Sequence, residues 1–356
     1  MLVEPGSLCW VAGRMVEARD GKTWAVEFAR FSALGTVVRD DGSGLGKGLK
    51  LERARRHDAG LSDGLEDMLD VFHTFREGGR ALRKTWGTAT RALERAEEAQ
   101  KKLDRMGREG ISQTGHTTAT IRLWRKAEQL WDQAMAAEKA WKLSRSAFEF
   151  FTPEGRFNNR LQAQAVVSAA LPYLNSPAWA KTRRLLVRPE SFTFLDQAQR
   201  RLAELGLDPD VLSALLDLEG LRRQPWRLSE STEGSAATRA WALARTVQLA
   251  KAHPDWQELA CRVREVLRGV WRASSLVECL NSVARMQQAR HRKMTQGLLD
   301  LKRLYWNLHR FRGGHRKNQT PYELLGLKLP DLSFWEFLKL TPEELREQLS
   351  AKDVPS

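Results

Sequence analysis

The chain of 356 residues is long enough to bury a sizeable core and to divide into more than one unit. Lys and Arg number 58 against 44 acids, a formal charge of +14, which points to a polyanionic partner, nucleic acid ahead of an anionic membrane surface. No stretch has the apolar length of a membrane span, Met1 is not followed by a signal-peptide pattern, and Cys9, Cys261 and Cys279 lie too far apart for a metal knuckle, so they read as reduced core thiols of a cytoplasmic protein.

The first fifty residues read as a fragment of an α/β sheet. SLCWVAGRMVEA is rich in β-formers, and RDG supplies a turn. KTWAVEFARF then predicts a short amphipathic helix that buries Trp24, Val26, Phe28 and Phe31. LGTVVRDDGSGLGKGL follows as a buried strand, Leu34 to Val38, opening into a Gly-rich loop.

From about Gly64 onward the pattern turns helical. LEDMLDVFHTF places Leu65, Met68, Leu69, Phe72 and Phe75 on one helical face. After EGG, a three-four alternation runs through Trp86, Ala89, Leu93, Ala96, Gln100 and Leu103. Beyond the turn GREGISQTGHTT it resumes at Leu123, Ala127, Leu130, Ala134, Ala137, Trp141, Ser144 and Phe148. Such a pair predicts an antiparallel helical hairpin with solvated, charged outer faces. Most of the Trp recur at helical spacing too, as packing anchors. Further helices are expected at roughly 157–173, 190–205, 209–220, 235–252 and 255–270. The resulting boundaries are 1–75 for a partial α/β core, 76–270 for an all-helical insertion, 271–330 for C-terminal core helices and 331–356 for a tail. In the third of these, MTQGLLDLKRLYWNLHRF carries Leu298, Leu301, Leu304, Tyr305 and Leu308 on its apolar side.

Three places hold acids suited to metal-assisted work. Asp40, with Asp41 beside it, ends the apolar strand, where a side chain leaves the core while its backbone stays fixed. Taken alone, DDG is more often a turn signal. In DVFH, His73 lies one position off the stripe of Phe72 and reads as a hydrogen-bonded structural residue. The third place is SSLVECLNSVARMQQARHRK, a helix with Leu276, Leu280, Val283 and Gln287 on one face. Glu278, Ser282, Arg285 and Arg292 follow another side, the two Arg about 10 and 21 Å beyond the acid. By itself this is a solvated face of mixed charge. Combined with Asp40, Glu278 becomes part of a hard-oxygen pair from separate elements, which is what Mg²⁺ selects, with a basic stripe that can track a DNA backbone.

The run SSLVECLNSVARMQQARHRKMTQGLLDLKRLYWNLHRFRGGHRKNQTPYELLGL resembles the C-terminal part of bacterial insertion-sequence transposases of the DDE type. VVRDDGSGLGKGL is similar to the strand that presents the second acid in that family, and LDVFHTFRE to the helix that follows it, bearing Asp70 and His73. The closing residues Asn307, Arg312, Gly314, Thr320, Pro321, Glu323 and Gly326 fit the same pattern. The likeness covers roughly 1–80 and 270–330. It implies an α/β RNase H-like core, incomplete because its first strand and first Asp are missing, interrupted by a large all-α insertion and mostly helical overall. Asp40, or Asp41 in its place, and Glu278 would be catalytic and hold Mg²⁺ or Mn²⁺, with no small-molecule cofactor. Arg285, Arg290, Arg292, Lys293, Lys302, Arg303 and Arg312 would bind DNA. Glu4 is a weaker substitute for the first acid. The alternatives are a non-catalytic DNA-binding remnant and a helical interaction protein, and a homo-oligomer is compatible with each.

Overall fold

Apolar residues three and four apart dominate the chain, and the computed structural model is accordingly mostly helical. It describes residues 1–61, 64–223, 232–272, 277–278, 280–282, 294–330 and 332–350. Two units divide it: Met1–Ser32, Ser43–Ser62 and Ala273–Ser356 form the first, Ala33–Gly42 and Asp63–Arg272 the second. Among the described residues no helix is long and apolar enough to cross a membrane.

In the first unit β1 (Leu2–Val3) pairs antiparallel with β2 (Trp10–Ala12). Helix α1 (Gly21–Ala29) starts at Asp20, whose carboxylate accepts the Thr23 N–H at 2.8 Å. It buries Phe28, whereas Val26, expected on the same face, is 58% exposed and Trp24 and Phe31 are only half-buried. The Gly-rich stretch expected to be a loop is instead the first half of helix α2 (Ser43–Asp58). Its glycines are contacts, not hinges. A Cβ on Gly48 would sit 2.5 Å from Cβ of Trp24, and one on Gly44 would sit 1.9 Å from the Arg19 carbonyl oxygen. Only a bare backbone lets α1 and α2 approach so closely, which outweighs the helix penalty of roughly 1 kcal/mol per Gly. Farther along α2, buried Glu52 accepts from Arg55 and Arg56 at 2.8–2.9 Å, and Arg56 also donates to the Phe31 carbonyl at 3.0 Å.

The same unit holds the helix Gln296–Leu308, capped by Thr295. Its buried side is Leu299 and Asn307, while Leu301 and Tyr305, expected to be inside, are 40% and 55% exposed. Asn307 replaces a neighbouring strand for β2: its Oδ1 accepts the Trp10 N–H at 2.9 Å and its Nδ2 donates to the Trp10 carbonyl at 3.1 Å. Trp10, Leu280 and Leu299 make the small core there.

In the second unit β3 (Thr36–Arg39) and β4 (Glu66–Leu69) run parallel, with Thr36 opposite Glu66 and Arg39 opposite Leu69. The opening segment therefore does not form one strand-helix-strand sheet, because β2 and β3 belong to separate two-stranded sheets. Glu66–Leu69 also departs from its expected helical state. Leu65, Met68 and Leu69 are buried and fit either periodicity over so short a run, and pairing with β3 decides the matter. Phe72 falls outside the core stripe and is 43% exposed, because the helix begins only at Val71 and restarts the phase.

That helix, α3 (Val71–Arg108), continues without interruption through Gly78 and Gly79 and packs along α4 (His116–Ser146). Ala89 and Ala96 face Ala127, Ala134 and Ala137 in a seam of small buried residues. Gly78 is required there, since a Cβ would meet the Trp141 ring at 2.2 Å. Then come α5 (Arg160–Ala170), α6 (Ala180–Leu186), α7 (Thr193–Ala203), α8 (Pro209–Arg222), α9 (Thr232–Ala252) and α10 (Trp256–Arg268). Among these, α6 falls where the sequence pattern predicts no helix. Aromatic rings make the centre of this core: Phe148 stacks on Phe192 at 5.2 Å and Trp141 lies 5.8 Å from Trp179. Of the thiols expected inside, Cys9 is buried but Cys261 is exposed on α10, and Cys279 lies outside the described residues.

Candidate functional site

The site with the most chemistry lies at the C-terminal ends of β3 and β4. The Asp70 N–H donates to the Arg39 carbonyl at 2.8 Å, so the ladder continues one step past the strands and Asp40 and Asp70 stand at matching positions. Parallel strands thus bring two acids that are thirty residues apart to one edge. Their environments differ sharply.

Asp70 is 1% exposed and works for the fold. Its Oδ1 accepts the Phe72 N–H at 2.7 Å, capping α3, and its Oδ2 lies 2.5 Å from Nδ1 of His73. This carboxylate fixes the imidazole in one tautomer, in keeping with a structural histidine.

Asp40 is half-buried, and its Oδ1 accepts the Gly42 N–H at 2.9 Å. The turn reading of DDG is therefore met. Its Oδ2 takes no hydrogen bond from a described residue. Asp41 is quite different: Arg184 and Arg188 both donate to its carboxylate, the latter at 2.5 Å. Two guanidinium groups leave that carboxylate little capacity for a metal ion, which favours Asp40 over Asp41 as a ligand.

Beneath them sits a buried ion pair. Arg39 Nε and Nη2 donate to the two oxygens of Asp67 at 2.8 and 2.7 Å, and Nη1 donates to the Asp40 carbonyl at 3.0 Å. The guanidinium thereby pins the backbone on which the Asp40 carboxylate stands. Glu190 completes the network by accepting from Arg188. Burial alone would raise the Glu190 pKa, but the Arg188 hydrogen bonds and the nearby Arg39 charge bring it below the usual value. Arg188 is correspondingly shifted up, chiefly by Glu190. None of Arg184, Arg188 and Glu190 stands out in the sequence, because 143 and 147 residues separate the two Arg from Asp41.

Asp40 belongs to the second unit and Glu278 to the first. Glu278 is half-buried in a helical stretch that includes 277–278 and 280–282. Arg285, Arg290, Arg292 and Lys293 lie outside the described residues. Lys302 and Arg303 are half-buried rather than displayed: Arg303 reaches the Val11 carbonyl at 3.4 Å and Asp300 at 3.3 Å, and burial lowers the Lys302 pKa. Arg312 is exposed. Glu4 closes a turn by accepting from the Gly6 and Ser7 N–H groups at 2.8 and 2.7 Å. Burial pushes its pKa up, yet the Ser7 and Gly6 hydrogen bonds outweigh this and hold it below normal. Among the described residues no three His, Cys, Asp or Glu side chains cluster at metal-binding range.

Comparison with known proteins finds no matching family model, no similar curated protein and no similar solved structure.

Proposed function

We propose that this chain is a DNA transposase of the DDE type, with an RNase H-like core, that cleaves and joins DNA strands during movement of an insertion sequence. The observation that carries this reading is Asp40: a carboxylate at the end of a parallel strand, its backbone carbonyl held by Arg39, its Oδ1 held by the Gly42 N–H, and its Oδ2 accepting no hydrogen bond from a described residue. The C-terminal resemblance supplies Glu278 as the second acid. Mg²⁺ and Mn²⁺ keep several waters and take hard carboxylate oxygens one or two at a time, which is the kind of donor that Asp40 offers at its strand end. When bound, the ion supplies charge neutralisation at the scissile phosphate. The chain's own work is to fix the Asp40 carboxylate through the Gly42 turn and to hold DNA with Lys and Arg. Water attacks phosphorus as the 3′ oxygen departs. The freed 3′-hydroxyl then attacks a second phosphodiester, displacing that bond's own 3′ oxygen.

A second reading, DNA binding without cleavage, is favoured by the work Asp40 already does in its turn. Nicking of supercoiled plasmid DNA in Mg²⁺ or Mn²⁺, measured alongside DNA affinity, separates the two. Transposase chemistry predicts nicking that Asp40→Asn and Glu278→Gln each abolish at unchanged affinity. Wild-type binding without nicking selects the second reading.

A further inference from the structure

We infer that a basic groove between α3, α4 and the segment leading into α6 is a binding surface for duplex DNA. This rests on the proposed DNA substrate but uses none of the residues assigned to it. The groove encloses about 1400 Å³. Its floor is Ala81, Ala137 and Trp179, all buried, and the Trp179 indole N–H donates to Thr85 Oγ1 at 3.0 Å, tying the segment to α3.

Charge is segregated along its walls. Between Glu77 and Glu94, α3 carries Arg80, Arg83, Lys84 and Arg91 and no acid. The other wall, from Pro172 to Thr182, contributes Lys181 and no acid. By contrast, 94–108 at the far end of α3 mixes four acids with five bases. A general excess of positive charge would not sort itself this way.

Glu77 is the sole acid lining the groove, and it is shared by Arg80 at 3.0 Å and Lys181 at 3.2 Å. Arg83, Lys84 and Arg91 are exposed and pair with no carboxylate among the described residues. Residues 80, 84, 87 and 91 share one helical face. Arg80 to Lys84 spans about 6 Å of axis and Lys84 to Arg91 about 10 Å, on the scale of a few nucleotides at roughly 3.4 Å each. Gly87 stands between Lys84 and Arg91 and leaves the backbone bare where a phosphate would come closest. Thr88, Asn175 and Ser176 add neutral donors along the rim.

The test compares two triple variants of the full chain. Arg83→Gln, Lys84→Gln and Arg91→Gln empty the groove of its unpaired charge. Arg122→Gln, Arg125→Gln and Lys126→Gln remove the same charge from exposed sites on α4 outside it. Binding of a short labelled duplex is followed by fluorescence anisotropy across a salt series, with thermal melts confirming that both variants fold. The groove triple should flatten the log K against log salt slope by about one for each phosphate no longer neutralised, up to about three, and the α4 triple should change it far less. Equal losses in the two variants overturn the groove and leave the transposase reading standing. Groove-dependent binding confined to the single strand of the same sequence overturns the duplex assignment. A wild-type chain that binds no duplex overturns both.

Discussion

The two units close their helix pairs by opposite means. In the first, α1 and α2 touch through bare glycine backbone at Gly48, Gly44 lies against the Arg19 carbonyl just ahead of α1, and α2 buries one sizeable apolar side chain, Leu49, beside the Glu52–Arg56 pair. In the second, α3 and α4 meet along an alanine seam that ends in the rings of Phe75, Trp141 and Phe148. The first pair gains from proximity and internal ion pairing, the second from apolar volume removed from water. A unit of the first kind tolerates almost no added atoms at its contact, whereas one of the second kind tolerates loss of volume poorly.

Both units also bury an ion pair, and breaking these gives the largest expected effects. Asp67→Ala would leave Arg39, whose side chain is 2% exposed, without its counter-charge. Urea unfolding should show a loss of about 3–5 kcal/mol, and Glu52→Ala in α2 should fall in the same range. The double change Arg39→Met with Asp67→Leu should recover most of the stability. A loss below about 1 kcal/mol for Glu52→Ala would mean that the first unit does not depend on its ion pair.

Glycine substitutions test how far the contrast reaches, because each unit has a close glycine contact. Gly44→Ala places its methyl against a backbone carbonyl that cannot rotate away, and Gly78→Ala drives into the Trp141 ring. Each should cost about 1–3 kcal/mol by overpacking. Gly79→Ala, one residue along in the same helix, meets nothing closer than the Arg83 guanidinium at 3.9 Å and should stabilise by up to about 1 kcal/mol. Thermal melts of the three variants decide it, and like signs at Gly78 and Gly79 would remove the Trp141 ring as the cause.

The smallest effect concerns Cys9 in the first unit. Burial, aided by Glu4, pushes its thiol up to about 11. The folded chain therefore keeps this proton to higher pH than the unfolded chain, whose thiol titrates near about 8.5. The contribution to stability is full below about 8.5 and is lost as pH rises toward about 11. Melting temperature should fall across that window in the wild type and fall less in Cys9→Ser. Alkylation at pH 8 followed by peptide mass spectrometry should label exposed Cys261 well before Cys9.

Periodicity carried the long elements. The alternation from Trp86 to Leu103 and from Leu123 to Phe148 is sustained over many turns, so no tertiary partner is needed to recognise it. Short elements were ambiguous for the same reason. Glu66–Leu69 is too brief to express a period, and only its pairing with β3 makes it a strand. The glycines of α2 signal a loop by local propensity, yet α1 needs their missing side chains.

The candidate site divides along the same line. Composition and motif marked Asp40 and Asp70 as chemically notable, because an acid at the end of an apolar run is visible in one dimension. That Asp70 serves as a helix cap, that Asp41 is bound by Arg184 and Arg188, and that Arg39 and Asp67 support the strand end depend on partners up to 147 residues away. The basic groove is of that second kind too. Its cations sit in plain view on α3, but only the chain from Pro172 to Thr182, folded back over them, turns a charged helix face into a groove. Local sequence thus determined the long helices and which residues carry charge. The tertiary structure decided which of those charges are spent on one another and which are left facing solvent, because burial and pairing are properties of neighbours in space.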